Sequence, residues 1–263
     1  LQSISTIHDL MHLYEPQYKE LSSKRIRDYH YLGIIKYCKK IMVDSGLGKK
    51  HLLDNYNVPV ENVAVVPFIA PYYIREHGLS VKKAPLVKGT YFFYPAQFWS
   101  HKNHISVLRA FKKLKNDNIK LVFSGAKKNG FGDVEKFIKA SHLEDQVEIL
   151  GYVSEDDMLN LYQHAMCVIF ASVCGPTNIP PIEAITLGKP LLCSNKYAMP
   201  EQCGDAALYF DPLKANELTE LMSQILENKE SCTKLKQNAK RQAKFFSLDK
   251  LAINLKSAIE AQK

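Results

Sequence analysis

The sequence predicts an α/β protein built on parallel sheet with helices on both faces. Short segments of β-branched and aromatic residues alternate with helical segments along the whole chain. The connections between them are short, which favours parallel strands joined by crossover helices. A length of 263 residues suits one large domain or two modest ones.

The first third of the chain contains three predicted strands and two predicted helices. The strands lie at 3–7, 41–43 and 63–66, and the first helix at 18–40. Ser45 is expected to cap a second helix that reaches residue 56. From 68 to 88 the periodicity is lost, and Pro71 and Pro85 interrupt the segment. This segment is therefore predicted to be a linker.

After residue 89 the alternation becomes regular. Strands are predicted at 91–94, 120–123, 147–150, 168–170 and 191–193. Helices are predicted at 103–114, 132–140, 154–164, 181–186, 214–227, 229–245 and 248–262. Ser154 is expected to cap the third of these, and the acidic residues after it suit the helix dipole. Parallel sheets bind ligands at the carboxyl ends of their strands. The loops after Tyr94, Phe123, Phe170 and Cys193 are therefore expected to carry the chemistry.

Composition restricts the class of protein and its partners. The chain has 35 Lys and Arg against 27 Asp and Glu, a formal net charge of +8, which favours anionic partners such as nucleotides. Its 6 cysteines include no Cys-x-x-Cys pair, as is usual for a reduced cytosolic protein. No apolar segment approaches the roughly 20 residues that a membrane-spanning helix needs.

The loop after Tyr94 combines the single Trp of the chain, Trp99, with Lys102 just before a predicted helix. A helix N-terminus with a neighbouring lysine is a phosphate site, because free N–H groups and the ammonium attract the anion. The alternative is that Trp99 packs as a lid and Lys102 is solvated. In the loop after Phe123, Gly125 would permit close backbone approach to a ligand.

The loop after Phe170 is the most distinctive. It turns at Gly175 and Pro176, and Thr177 and Asn178 are expected to cap the helix that follows. Glu183 is expected in the first turn of that helix. It would either complement the helix dipole or accept hydrogen bonds from sugar hydroxyls.

Four motifs occur in a family order. They are Tyr-Pro-Ala-Gln-Phe-Trp-Ser-His-Lys-Asn-His at 94–104, Gly-Tyr-Val-Ser at 151–154, Gly-Pro-Thr-Asn-Ile-Pro-Pro-Ile-Glu-Ala at 175–184 and Gly-Asp-Ala-Ala-Leu-Tyr-Phe-Asp-Pro at 204–212. Together they resemble the group 1 retaining glycosyltransferases of the GT-B fold, in particular the bacterial branch that acts on surface polysaccharide. The resemblance covers residues 3–245.

The resemblance implies two Rossmann-like domains that face each other across a cleft. Residues 1–75 would be the C-terminal part of the acceptor-side domain, too short to be complete and therefore expected to be truncated. Residues 76–247 would be the domain that binds the nucleotide sugar. Residues 248–263 would form a helix that crosses back to the first domain.

The same resemblance implies the roles of individual residues. His8 and Lys102 would be catalytic, with His8 supporting the transition state and Lys102 contacting the donor diphosphate. Backbone N–H groups between Gly175 and Ile179 would face phosphate or sugar, and Glu183 would hold the ribose hydroxyls. The expected donor-binding residues are Gln97, Lys102, Gly125, Gly175, Pro176, Thr177, Asn178, Ile179 and Glu183.

The sequence departs from the family pattern at two positions. The family commonly has a carboxylate eight residues before the Glu183 position and an arginine six residues before the Lys102 position. Here these positions are Gly175 and Ala96. Lys102 is therefore the main expected cation for the diphosphate, with lysines 127 and 128 as helpers.

The implied function is transfer of a hexose, with mannose the favoured sugar, from a GDP- or UDP-sugar to a growing surface glycan with retention of configuration. The partners would be the nucleotide sugar and a glycan or lipid-linked acceptor. No divalent metal or other cofactor is expected, since the chain has no Asp-x-Asp motif. The alternative is a donor-binding fragment or a nucleotide-sugar epimerase without transferase activity.

Three further hypotheses concern other partners. His8 and His12 have the spacing of a zinc-binding helix, which makes a zinc hydrolase a distant alternative. No nucleic acid partner is expected, because the basic residues are spread among acidic ones. The basic face of Lys24, Arg25 and Arg27 is either simply solvated or docks on an anionic membrane. The expected location is the cytoplasm, with peripheral contact at the inner face of the plasma membrane.

Overall fold

The computed structural model describes residues 3–18, 24–77, 84–175 and 177–260, and it contains two parallel sheets. The first sheet has the strand order β1-β2-β3, with β1 (Ile4–Thr6), β2 (Lys40–Val43) and β3 (Val63–Val65). Its helices are α1 (Met11–Tyr14), α2 (Lys24–Tyr37) and α3 (Gly46–Asn55). A small apolar core that includes Ile7, Ile41, Val43 and Leu52 holds these elements together.

The second sheet is larger and has the strand order β6-β5-β4-β7-β8-β9. Its strands are β4 (Thr90–Pro95), β5 (Ile119–Ser124), β6 (Val147–Ile149), β7 (Cys167–Phe170), β8 (Leu191–Ser194) and β9 (Leu208–Phe210). Every pairing is parallel. The strand order reverses between β4 and β7, so the sheet opens a crevice outside the carboxyl ends of these two strands.

Helices cover both faces of the second sheet. They are α4 (Tyr72–His77), α5 (His104–Leu114), α6 (Phe131–Ala140), α7 (Glu155–His164), α8 (Ile179–Thr186), α9 (Met199–Cys203), α10 (Ala215–Glu227) and α11 (Lys229–Gln242). The last helix, α12 (Leu248–Glu260), lies against β2 of the first sheet instead. All residues of β7 are buried, as expected for a central strand of a covered parallel sheet. The predicted α/β class is confirmed.

Four elements were not predicted, the first of which is the four-residue helix α1. Helix α4 lies inside the segment expected to be a linker, and residues 78–83 of that segment lie outside the described residues. Its six residues are too few to show a helical period in the sequence. The same holds for the short α9 and the three-residue strand β9. The helix predicted to reach 245 ends at Gln242 and continues as a 3₁₀ turn over Ala243–Phe246.

Two predicted helix caps are confirmed. The Ser45 hydroxyl accepts a hydrogen bond from the Gly48 N–H at 2.9 Å, and the Ser154 hydroxyl accepts one from the Asp157 N–H at 3.1 Å. Each hydroxyl satisfies an N–H group that has no partner inside the helix. These contacts fix where α3 and α7 begin.

The two sheets contact each other through polar groups. The carboxylate of Glu201, on α9, accepts hydrogen bonds from the N–H groups of Gly46 and Leu47 at 2.6 and 3.2 Å. This carboxylate, from a helix next to the second sheet, therefore caps the N-terminus of α3. The Tyr197 hydroxyl donates to Glu15, and α12 contacts β2. These contacts place the carboxyl end of the first sheet beside the crevice of the second.

Within the part of the chain that the structure describes, every helix is too short or too polar to span a lipid bilayer. The domain limits at residues 75 and 247 stay predictions.

Candidate functional site

The crevice between β4 and β7 is a cleft of about 520 Å³. Such a volume lies within the range of small-molecule sites, roughly 300–1,000 Å³. Predicted donor-binding residues line the cleft, namely Gln97, Lys102, Gly125, Asn178, Ile179 and Glu183. The structure thus brings together residues from three loops, each of which follows a strand of one sheet.

Lys102 is held in place at the centre of the cleft. It ends a 3₁₀ turn (Ser100–Lys102), and the Tyr94 hydroxyl donates to its carbonyl at 2.5 Å. Its ammonium donates to Oδ1 of Asn178 at 2.8 Å and lies 5.2 Å from the Phe170 ring centroid. Burial lowers the pKa of Lys102 to about 8. The alternative of a solvated lysine is therefore wrong.

The neighbouring lysines contact aromatic rings. The ammonium of Lys127 lies 4.2 Å from the Phe131 ring centroid, and that of Lys128 lies 5.0 Å from the Trp99 ring centroid. The Trp99 indole N–H in turn donates to Oε1 of Gln97 at 3.0 Å. Trp99 lines the cleft, and Lys128 lies over its ring. The role of lysines 127 and 128 as helpers stays a prediction.

Glu183 is the buried carboxylate of the cleft, with only 7% of its surface exposed. Its Oε1 accepts from the Tyr73 hydroxyl at 2.9 Å, and its Oε2 accepts from the Tyr162 hydroxyl at 2.6 Å. Burial raises the pKa of Glu183, and the hydrogen bonds from Tyr162 and Tyr73 oppose that rise.

The expected place of Glu183 in the first turn of its helix is wrong. Helix α8 begins at Ile179, and its first turn contains no acidic residue. Glu183 therefore lies in the second turn, where the helix N-terminus has little effect on a carboxylate. Its partners are the two tyrosines.

The capping prediction for Thr177 and Asn178 is also wrong. Asn178 is at the N-cap position of α8, but its side chain makes no capping hydrogen bond because its Oδ1 binds Lys102. The Thr177 hydroxyl donates to Oδ2 of Asp44, at the end of β2. Tertiary partners thus replace the local capping bonds that the sequence suggested.

Backbone N–H groups of this loop already have protein partners. The Gly175 N–H points at Sδ of Met11 at 3.2 Å, and the Asn178 N–H donates to Oε1 of Gln202 at 3.0 Å. Gly175 has a φ of +107°, which favours glycine. In this arrangement, in which α1 packs against the loop, these two N–H groups bind protein atoms, and the contact of the 175–179 loop with phosphate or sugar stays a prediction. Pro176 lies outside the described residues.

Gly125 is required by the chain itself. Its φ is +151°, and a Cβ there would lie 2.4 Å from the carbonyl oxygen of Ala96. Its N–H donates to the carbonyl of Gly151 at 2.8 Å. Gly125 lines the cleft, but the backbone that approaches it closely belongs to the loop after β4, where we predicted a ligand.

His8 lies on a second opening of about 290 Å³ that shares lining residues with the first cleft. Lys102 and Asn178 line both openings, and Gly175 and Thr177 line the second. The exposed His8 ring stacks on Phe68 at a centroid distance of 5.7 Å. The two residues predicted to be catalytic thus face the same space.

The zinc-helix alternative does not fit this geometry. His8 lies between β1 and α1, so it shares no helix with His12. His12 is buried, and its Nε2 lies 3.2 Å from Oδ1 of Asp28. Among the described residues no group of three or more His, Cys, Asp or Glu side chains is placed to hold a metal ion.

Several residues of the site were not predicted from the sequence. Asp44 follows β2 directly. Parallel sheets bind ligands at the carboxyl ends of their strands, and the same rule, applied to the first sheet, would have predicted Asp44. Gln202 holds the loop at 171–178, which we call the donor loop. It accepts a hydrogen bond from the Asn178 N–H and donates one to the Asn178 carbonyl. Tyr73 had no signal, since its helix lies in a segment without periodicity.

Comparison with known proteins agrees with this geometry. Residues 80–242 match the family model "Glycosyl transferases group 1". O-antigen chain mannosyltransferase B of Escherichia coli is 24% identical over 237 residues, which are 86% of this chain and 61% of that protein. The chain thus spans about three fifths of that relative's length.

Solved structures show the fold. Anabaena HepE in complex with UDP and glucose superposes with a TM-score of 0.81 at 14% identity, over 98% of this chain and 71% of that one. WaaG, a glycosyltransferase involved in lipopolysaccharide biosynthesis, gives a TM-score of 0.77 at 15% identity, over 98% and 74%. The family model covers more than half of the chain, which confirms the resemblance found in the sequence. The chain therefore belongs to the glycosyl transferases group 1 family, and its fold is that of the GT-B glycosyltransferases.

Proposed function

We propose that the cleft binds a nucleoside-diphosphate sugar and that the protein transfers the hexose to a surface glycan with retention of configuration. The observation that carries the proposal is that Lys102 and Glu183 line one cleft at the point where the strand order reverses. A fixed cation suits a diphosphate, and a buried carboxylate with free lone pairs suits ribose hydroxyls. The name of the Escherichia coli relative favours mannose as the sugar.

The chemistry follows from the charges in the site. The anomeric C–O bond to the diphosphate breaks, and negative charge develops on the leaving phosphate. The Lys102 ammonium stabilises that charge. The acceptor hydroxyl attacks the anomeric carbon on the same face and gives its proton to the leaving phosphate. His8, on the second opening, supports the developing positive charge of the sugar. These steps use no metal or other cofactor.

Nucleotide binding tests the proposal. GDP or UDP at about 100 times its Kd should stabilise the protein by about 2.7 kcal/mol, which thermal unfolding measures. Lys102→Ala should abolish the shift while keeping the fold, as judged by circular dichroism. If neither nucleotide raises the melting temperature of the wild-type chain, the proposal fails. Incubation with donor alone separates an epimerase, which would release a new nucleotide sugar without any acceptor.

We also propose peripheral contact with an anionic membrane, where lipid-linked acceptors lie. Lys24 and Arg25 are exposed on α2, whereas Arg27 forms an ion pair with Asp9 at 2.7 Å and leaves the predicted basic face. The same helix exposes the apolar side chains of Ile26, Tyr29 and Leu32. Basic and apolar groups on one surface helix suit a lipid interface.

Anionic vesicles should sediment the wild-type protein at low salt, and the double change Lys24→Glu, Arg25→Glu should prevent this. Failure of the wild type to sediment would contradict the proposal.

A further inference from the structure

The proposed function does not explain the contact between Glu183 and Tyr73, which lies in the segment that joins the two sheets. Helix α4 lies in that segment and packs against α7 and α8. Ile74 of α4 is 1% exposed, and the Arg75 side chain donates to the Ala70 carbonyl at 3.0 Å. These contacts anchor α4, so the neighbouring Tyr73 is presented to the cleft in a fixed place.

The hydroxyls of Tyr73 and Tyr162 occupy only part of the Glu183 carboxylate. Each carboxylate oxygen can accept about two hydrogen bonds. Tyr73 supplies one to Oε1 and Tyr162 supplies one to Oε2. One lone pair on each oxygen is left, and both Tyr73 and Glu183 line the cleft. A vicinal diol, which offers two adjacent hydroxyl donors, would complete this set.

We propose that Tyr73 is a positioning residue, whose hydroxyl fixes Oε1 of Glu183 so that the carboxylate accepts the ribose diol of the donor. The inference rests on the proposed function and adds to it a residue from outside the three loops that line the cleft. Without the hydroxyl, the carboxylate keeps only Tyr162 as a side-chain partner and turns more freely. Tyr73 itself need not contact the donor.

The test compares Tyr73→Phe with the wild type by calorimetric titration of GDP, UDP and their 2′,3′-dideoxy analogues. Tyr73→Phe keeps the ring and removes the hydroxyl. We expect the Kd of GDP or UDP, whichever the wild type binds, to rise between about threefold and tenfold, the effect of one ordinary hydrogen bond, because the lost bond is made to Glu183 and not to the nucleotide. The Kd of the dideoxy nucleotide divided by the Kd of the ribonucleotide should be smaller in Tyr73→Phe than in the wild type. A less ordered Glu183 carboxylate gains less from the two ribose hydroxyls. A change that only destabilised the fold would not alter this ratio.

The pH dependence of binding gives a second readout. Both tyrosine hydrogen bonds favour the ionised carboxylate, so removal of one raises the pKa of Glu183. The loss of affinity on acidification should therefore begin at higher pH in Tyr73→Phe, and Glu183→Gln should remove this acid limb. The groups that face Glu183 and Tyr73 from the packed elements are Tyr162, Lys102, Tyr152 and Glu155. None of them is changed in this variant.

A neighbouring tyrosine provides the matched control. Tyr72 is on the same helix and 66% exposed, so Tyr72→Phe should leave the Kd, the ratio and the acid limb unchanged. Equal or tighter binding by Tyr73→Phe would overturn the inference, and tighter binding would mean that the hydroxyl competes with the donor. Uniformly weaker binding with an unmoved acid limb and ratio would also overturn it. If the wild type binds neither nucleotide, the proposed function itself fails, and the inference fails with it.

Discussion

The hydroxyl of Thr177 donates a hydrogen bond to Oδ2 of Asp44, although the two residues are 133 positions apart in the chain. Asp44 ends a strand of the first sheet, and Thr177 lies in the loop that lines the cleft of the second. The next residue of that loop, Asn178, binds Lys102. The position of the donor loop is therefore set in part by the first sheet.

Breaking this hydrogen bond should loosen the loop. Thr177→Val keeps the shape of the side chain but leaves the buried Asp44 oxygen without its donor, so unfolding free energy should fall by about 1–3 kcal/mol. Asp44→Asn keeps an acceptor and should cost less. Urea unfolding of Thr177→Val, Asp44→Ala and the double variant would measure the coupling between the two side chains. Strict additivity of the two single effects would contradict the contact.

Donor affinity should decrease at alkaline pH because of Lys102. Burial lowers its pKa from 10.5 to about 8. Below pH 8 the ammonium is charged and ready for the diphosphate, whereas above pH 8 a proton must be taken up on binding. Affinity for GDP or UDP should therefore fall by up to about tenfold per pH unit above pH 8. Calorimetry between pH 7 and pH 9.5 measures this slope.

A second buried lysine is the control for this alkaline limb. Lys189 also has its pKa lowered to about 8 by burial, but its ammonium donates to the carbonyl of Gln163 rather than lining the cleft. Lys189→Met should keep the alkaline loss of affinity, while Lys102→Met should remove it along with most binding. An unchanged slope in Lys102→Met would assign the limb to another group.

Two serine caps should differ in their contribution to stability. Ser154→Ala removes the capping bond of α7 and the hydrogen bond that the exposed Ser154 hydroxyl donates to Oδ2 of Asp157 at 2.8 Å, and it should cost about 1 kcal/mol. Ser45→Ala removes the equivalent capping bond of α3 and the hydrogen bond that Ser45 donates to Oδ1 of Asp44 at 3.0 Å. Because Ser45 and Asp44 are buried, Ser45→Ala should cost more, about 2 kcal/mol. Chemical denaturation of both variants tests the order, and equal losses would argue against the added role of Ser45.

Alanine at two glycines should have opposite consequences. Gly125→Ala would place Cβ 2.4 Å from the Ala96 carbonyl oxygen at a φ of +151°, so the β4 loop would have to move. We expect a loss of at least about 2 kcal/mol and weaker donor binding. Gly132→Ala, in α6, meets nothing within 4 Å and should be neutral or stabilising by up to about 1 kcal/mol. Melting temperatures of the two variants, compared with the wild type, would show the difference.

The local sequence determined which segments form most of the strands and helices, and which loops carry the site. Alternating apolar segments identified the strands that precede Lys102 and Glu183, and two serines identified the starts of α3 and α7. These features depend on neighbours within a few residues, so pattern and capping rules suffice. The resemblance to group 1 glycosyltransferases added the roles of loop residues that patterns alone left open.

Only the tertiary structure decided the partners of those residues. Thr177 and Asn178 have the chemistry of capping residues, yet Asp44 and Lys102 bind their side chains. Tyr73 reaches Glu183 across 110 positions from a helix too short to show a period. Such pairs form because the sheet topology brings distant loops to one edge, and a buried polar group then takes the partner nearest in space, whatever its place in the sequence.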